Sequence, residues 1–574
     1  MSDRGADGQL AEAAALYQAG RHAEAEALAR RILAHPGVHA GAGRAVARHL
    51  LAGCRAAVGA LAEAADELAV LVAEVPGHDD ARLQLAGLLA RLGRHGDVVA
   101  LLDGEVRRRP DFLAAYRPLA AALWETGARD AAIALYRGMA ERAPQDGAVH
   151  RALGDALRHH GAGREAVAVL RRAVALLVPA APGDPAAFRE LMAARVSLAE
   201  LLAGLATDAA PDYPGATAVA REARTMGVAD PDVLVSLGTV LDRAGEYGAA
   251  EECFLAALDL RPAHVVARLN LSMVRLLHGD FAQGWRDYEA RRHRRDLKAT
   301  LGRLPSWTAP QDMRGMCVRV LLEQGVGDRL QFARYLPMLA ERGAQVEVAV
   351  DPAAPLRPLL AEMPAISRLV DADDAPGAPD AVVALMSLPL AFGTDATSIP
   401  ADVPYLRVPA AHRAKWRARL GAGDGRKRVG VVWWGNPAYA NDRARSIPLD
   451  VFAPLLDRRQ VSFHVLAHQL RPEEAAAAGA LATVHEGVED FADTAALVEA
   501  MDLVIAADTA VAHLAGALAR PVWILLPFCP DWRWMLARED SSWYPTARLL
   551  RQPARGDWDS VIRRAREMLD ATFG

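Results

Sequence analysis

The chain predicts an all-helical N-terminal half followed by an α/β C-terminal half. Three observations carry that expectation. Glycines recur every 34 residues at Gly59, Gly93, Gly127 and Gly161, and Gly245 and Gly279 repeat the step. From about residue 296 that beat stops, and short apolar runs alternate with helical patterns. With 574 residues, 52% apolar and 24% charged, the chain has an ordinary globular composition and is too long for one core.

In the first half, Pro76, Pro110 and Pro144 keep the same beat, each closing a second helix. Five residues past each glycine stands a small side chain: Ala25 after Gly20, then Ala64, Ala132, Ala166, Ala250 and Gly284, with Val98 the exception. Small residues there let two helices approach closely. A 34-residue helix–turn–helix period is the tetratricopeptide signature, and residues 8–295 resemble such a domain, an α-superhelix. Between Gly161 and Gly245 the step is 84, and Pro179, Pro182, Pro185, Pro211 and Pro214 fall inside it. Residues 179–226 therefore read as an irregular repeat or a hinge. Stacked repeats form a concave groove suited to a peptide or protein; a spacer or oligomerisation arm is the plainer use.

In the second half, runs at 318–322, 345–350, 381–385, 429–433, 461–466, 503–506 and 522–526 read as parallel strands alternating with helices. A charged, glycine-containing stretch at 420–428 divides two units, 296–420 and 421–574. A net charge of -5 gives no reason to expect nucleic acid or an anionic membrane as partner. No run reaches membrane-spanning length, and the opening residues lack the apolar core of a signal peptide, so the expectation is a cytoplasmic protein. Cys54, Cys253, Cys317 and Cys529 show no CxxC spacing. That fits a reducing compartment without a zinc signature, although a site assembled in three dimensions stays open.

Four loops carry chemistry. The run 503–506 leads into Asp508-Thr509 and a small-residue helix with His513. Asp508 or Thr509 can cap that helix, whose free N–H groups and dipole attract an anion; the alternative is a capped helix with a core histidine. Around 321–337, Gly325 and Gly327 permit tight turns, and Asp328 begins a helix as either a general base or a cap. This segment is neither GxGxxG nor a P-loop, which disfavours dinucleotide binding and ATP hydrolysis. Gly435-Asn436 is a turn, and Arg443, Arg445 and Ser446 follow; the guanidiniums suit phosphate, or the loop is simply a solvated basic one. Residues 530–534 and 540–545 mix aromatics with charges, and packing is the favoured use of the aromatics.

In this order and behind tetratricopeptide repeats, these loops resemble the GT-B glycosyltransferases. The likeness is to family 9 heptosyltransferases, to O-linked N-acetylglucosamine transferases and, among bacterial proteins, to flagellin glycosyltransferases. It implies two Rossmann-like sub-domains, with Asp328 as catalytic base. Arg445, three residues before Pro448, takes the place of the family's phosphate-binding lysine. Gly325, Gly327, Asn436, Arg443, Ser446, Asp493, Thr494, Asp508, Thr509 and His513 would surround the donor. The resemblance further implies inverting, metal-independent transfer from a nucleotide-sugar, with no cofactor. A CMP-nonulosonic acid is the specific version of that donor, and Ser/Thr of a protein acceptor such as flagellin, held by the repeat groove, is the target. Ala510 departs from the family, which has glycine there, and the phosphate turn is narrowed accordingly. Two alternatives stand beside this reading: an inactive repeat scaffold, which Ala510 favours, and transfer to a glycolipid or lipopolysaccharide.

Overall fold

The structure, a computed structural model, describes residues 3–35, 42–204, 211–294, 297, 301–302, 304–305, 307–371, 378–437, 441–458, 460–466 and 472–574. The chain divides into two compact units, Met1–Val228 and Ala229–Gly574.

In the first unit helices follow one another in pairs, from Asp3–Gln18 with His22–Ala34 to Gly147–His159 with Gly163–Leu177. The glycine beat has a conformational cause. Gly59, Gly93, Gly127 and Gly161 lie at φ 85°, 73°, 86° and 88°, the left-handed region that ends a helix without strain only for glycine. Ala25, Ala64, Ala132 and Ala166 are fully buried, and so is Val98, which keeps its place by filling more of the interhelical space. The interval after Gly161 holds one further pair, Pro185–Leu202 with Tyr213–Thr225. Asp184 and Asp212 cap these helices, with proline in the first turn of each. It is an irregular repeat with a lengthened first helix.

The second unit opens with two more helix pairs, Pro231–Ala244 with Tyr247–Leu260 and Val265–Leu277 with Phe281–Tyr288. The expected helical domain at 8–295 is therefore divided, and its last two pairs belong to the α/β unit. The reason is aromatic packing. Trp285 lies edge-on to Phe332 (ring centroids 6.0 Å) and to Trp532 (5.3 Å), while Phe281 meets Trp543 (6.3 Å). All five rings are buried, and each side chain of this size contributes about 2–3 kcal/mol on leaving water.

Two parallel sheets follow. Strands β1 (Cys317–Leu321), β2 (Gln345–Ala349), β3 (Arg368–Val370) and β4 (Ala381–Ala384) are ordered β3-β2-β1-β4. In register, Val318 pairs with Val346 on one side and Ala381 on the other. Strands β5 (Lys427–Val432), β6 (Val461–Val465), β7 (Leu503–Ala507), β8 (Val522–Leu526) and β9 (Ala547–Arg551) are ordered β6-β5-β7-β8-β9. Every residue of β7 and β8 is buried, because helices cover both faces and leave no polar side to alternate with. The sequence pattern missed β3, which is three residues long, and β9, an edge strand reading Ala-Arg-Leu-Leu-Arg. The fold is thus tetratricopeptide-like helix pairs followed by two Rossmann-like lobes, the GT-B arrangement.

Strand order reverses between β1 and β4 and again between β5 and β7. Crevices outside the carboxyl ends of strands at such points are where open α/β sheets hold ligands. The loops after β1, β5 and β7 are those that carry Asp328, Arg445 and Thr509. Among the described residues no helix is long and apolar enough to cross a membrane.

Candidate active site

The first lobe supplies Asp328 on a rigid base. Just after β1, Glu323 accepts from Arg291 Nε (3.0 Å) and Nη2 (2.7 Å) and from the Met386 N–H (3.0 Å). Both members of that ion pair are buried, so the turn starts from a fixed point. Gln324 then takes a left-handed φ of 62°, and Gly325 is the N-cap of helix Val326–Phe332. Asp328 stands at the third helical position rather than the first, and its Oδ2 accepts the Gly325 N–H at 2.9 Å. Its Oδ1 accepts from Arg533 Nη2, which arrives from the loop after β8. The Asp328 side chain keeps 22% of its exposure. Burial raises its carboxyl above the usual range, with the Arg533 charge pulling the other way. Capping and base chemistry are therefore compatible here, since the cap uses one oxygen and burial makes the carboxylate more basic.

The second lobe supplies an anion-binding turn. Thr509 is the N-cap of helix Ala510–Ala517, in extended backbone (φ −140°, ψ 171°), yet its hydroxyl makes no capping bond. Thr509 Oγ1 is buried and without a partner. A donor left over beside the open N–H groups of a first helical turn suits an anionic oxygen. Asp508 does not cap the helix; it is buried behind the turn, where its carbonyl accepts from Arg445 Nη1 at 2.8 Å. Burial, and secondarily Asp531, push the Asp508 carboxyl up to about 6. His513 is buried, shares a hydrogen bond between Nδ1 and the Tyr544 hydroxyl (3.0 Å), and stacks on Trp534 at 5.3 Å. Burial pushes its imidazole well below the usual histidine range. Ala510 lies inside the helix and is absent from the left-handed positions, so its N–H reaches the turn without glycine's freedom.

Gly327 joins the two lobes: a Cβ there would lie 3.1 Å from His513 Cδ2 and 3.6 Å from Ala510 Cα. Arg445 is set by the turn after β5. Ser446 Oγ accepts the Gly435 N–H (3.0 Å) and donates to Asp442 Oδ2 (3.0 Å), while Arg445 Nε donates to Asp442 Oδ1 (3.1 Å). Ser446 thus closes the turn that aims Arg445. Asn436 and Arg443 are exposed on the same loop.

Asp493 and Thr494 are not brought to the site. Asp493 accepts from Lys415 Nζ (2.8 and 2.9 Å), Trp416 Nε1 (2.7 Å) and the Glu489 N–H (2.9 Å). Thr494 Oγ1 donates to the Asp490 carbonyl at 3.3 Å. Both side chains are buried; Asp493 docks helix Ala410–Leu420 onto helix Phe491–Glu499, and Thr494 bonds within the first turn of its own helix. His412, Asp490 and Asp493 bring ligand-type atoms within 4.8 Å of one another, but the Lys415 ammonium already neutralises Asp493.

Arg533 is the residue the sequence reading missed. Packing is the expected use of the aromatics at 530–534, and Trp532 and Trp534 are buried. The signal was a charge held between two tryptophans just after a core strand; its target, Asp328, lies 205 residues away.

No family model matches the chain. It is 27% identical over 315 residues to Protein FlbA of Caulobacter vibrioides, covering 50% of this chain and 52% of FlbA, so the match spans about half the length of that relative. Among solved structures it is similar to E. coli ADP-heptose LPS heptosyltransferase II (16% identity, 45% of this chain, 98% of that one, TM-score 0.33). It is likewise similar to a family 9 glycosyl transferase from Veillonella parvula (13%, 46% and 90%, TM-score 0.33). The repeats are similar to a tetratricopeptide repeat protein from Parabacteroides merdae (12%, 47% and 99%, TM-score 0.37).

Proposed function

We propose that the chain is an inverting, metal-independent glycosyltransferase that moves a sugar from a nucleotide-activated donor to a protein hydroxyl. One observation carries the reading: a partly exposed carboxylate at the first switch point sits on the helix whose Gly327 packs against Ala510 and His513, in the helix at the second switch point that Thr509, with its unpartnered hydroxyl, begins. In the reaction, the acceptor oxygen attacks the anomeric carbon as Asp328 takes its proton. The bond from that carbon to the donor phosphate breaks on the opposite side. The leaving nucleotide carries the new negative charge to Arg445, the Thr509 hydroxyl and the first-turn N–H groups. Donors fixed in advance where charge develops are usually the largest catalytic contribution, and here they supply the positive potential that other transferases take from a metal.

The helix pairs support a protein acceptor, since stacked repeats present a groove rather than a membrane face. A Ser/Thr of a flagellin-like protein, a CMP-nonulosonic acid donor and a cytoplasmic reaction are the finer form of this proposal. Incubation with CMP-, UDP-, GDP- and ADP-sugars, reading released nucleotide and the intact mass of flagellin, tests it. One donor should release its nucleotide and add one sugar mass, and D328N should do neither. Release from no donor would sink the enzyme reading in favour of a scaffold. Sugar recovered only in glycolipid would move the acceptor.

A further inference from the structure

We infer that Arg533 is a positioning residue for Asp328, fixing its carboxylate between the Gly325 turn and the loop after β8 while its outer face stays open to an acceptor hydroxyl. The inference rests on the transferase reading above and deepens it. Arg533 is itself 9% exposed, and its fork is divided among three acceptors. Nη2 donates to Asp328 Oδ1, Nη1 to Asp531 Oδ1 at 2.8 Å, and Nε to Gln331 Oε1 at 2.5 Å. The guanidinium lies over the Trp532 ring at 4.3 Å and reaches the Phe332 ring at 5.9 Å. A planar group clamped by two aromatics and three acceptors has one orientation, and through it Asp328 has one as well.

The clamp crosses the lobes. Arg533 and Asp531 come from the second lobe, Asp328 and Gln331 from the first. The base is therefore set only when the donor turn at Thr509 stands beside it, as Gly327 against Ala510 and His513 requires. An ordinary interlobe ion pair would also hold the lobes together, but it would have no reason to leave the carboxylate 22% exposed while its cation is buried.

The charges facing Asp328 are few. Asp531 comes from the loop after β8, Glu323 from the turn after β1, Tyr288 from the last repeat helix and Arg329 from its own helix, with His513 across Gly327. Glu323 is already matched by Arg291. Without Arg533 the Asp328 carboxylate would face Asp531 with Arg329 as the nearest remaining cation. An opposite charge at such range holds a carboxylate about 1–3 pH units lower than it would otherwise be.

The test uses the full chain, labelled with carboxyl-¹³C aspartate. The resonance missing from D328N identifies Asp328, and its titration is followed in wild type, R533M and R533K. Alongside it runs the pH profile of kcat/KM for nucleotide release. In R533M the Asp328 midpoint should rise by about one unit or more, and the acid limb of the rate profile should rise with it. R533K, which keeps the charge and loses the fork, should keep a midpoint near wild type but lose turnover. If R533M does not fold, R533K carries the test: wild-type kcat in R533K would overturn the positioning role. An unmoved Asp328 midpoint in a folded R533M would overturn it too. A moved midpoint in a protein that releases no nucleotide from any donor would uphold the Arg533 clamp and sink the transferase reading instead.

Discussion

Asp328 and Asp493 occupy similar local settings, each in the first turn of a short helix with an N–H of the preceding loop on its side chain, but their other partners differ. Asp493 gives both oxygens to Lys415, Trp416 and the Glu489 N–H and is shut off from solvent. Asp328 gives one oxygen to its own turn and the other to a cation from the opposite lobe, and 22% of its side chain stays open. A carboxylate with all its acceptor capacity filled by protein donors is a rivet. One held but still reachable can take a proton from a bound molecule.

The largest expected effect breaks the comparison on the chemical side. D328N should lower turnover by about 10²–10⁴-fold, the usual contribution of a positioned base. Its melting temperature should fall less than that of D493A, because asparagine keeps an acceptor for Arg533, whose charge Asp531 still matches, and the lost capping bond is worth about 1 kcal/mol. On the structural side, D493A should destabilise the fold by about 3 kcal/mol in urea unfolding, since it leaves the buried Trp416 N–H and the Glu489 N–H unpaired and the Lys415 ammonium with the Gly487 carbonyl alone. Nucleotide affinity of the folded fraction should be unchanged. R445A should weaken nucleotide binding by about 1.5–3 kcal/mol, the worth of a charged hydrogen bond.

The smallest effect depends on pH. Asp508 binds its proton more tightly folded, with a value of about 6, than it would unfolded. Its contribution to stability is therefore present at low pH and lost as pH rises through 6. D508N should unfold at a higher temperature than wild type above pH 7, and that advantage should vanish below about pH 4, near the ordinary carboxylate value.

Much of the architecture was legible because single residues carry it. A left-handed turn shows as glycine, so the repeat beat could be counted; a strand covered on both faces shows as an unbroken apolar run. The loops at the switch points were legible because their strands were. What stayed hidden depends on partners remote in sequence. Nothing local distinguishes Asp328 from Asp493, since Lys415 and Arg533 lie 78 and 205 residues away from the carboxylates they meet. The division at 228/229 was hidden for the same reason. Phe281, Trp285 and Tyr288 look like any repeat helix until Trp532 and Trp543 arrive to cover them. Ala510 stands at the first position of its helix, in backbone that is not left-handed.

Calorimetric titration of CMP, UDP, GDP and ADP into wild type, R445A and D493N tests the central claim most directly, that the turn at Thr509 with Arg445 is a nucleotide site. At least one nucleotide should bind wild type, about tenfold or more weakly to R445A, and with unchanged affinity to folded D493N. Binding of none of the four to wild type, or equal binding to R445A, would contradict it.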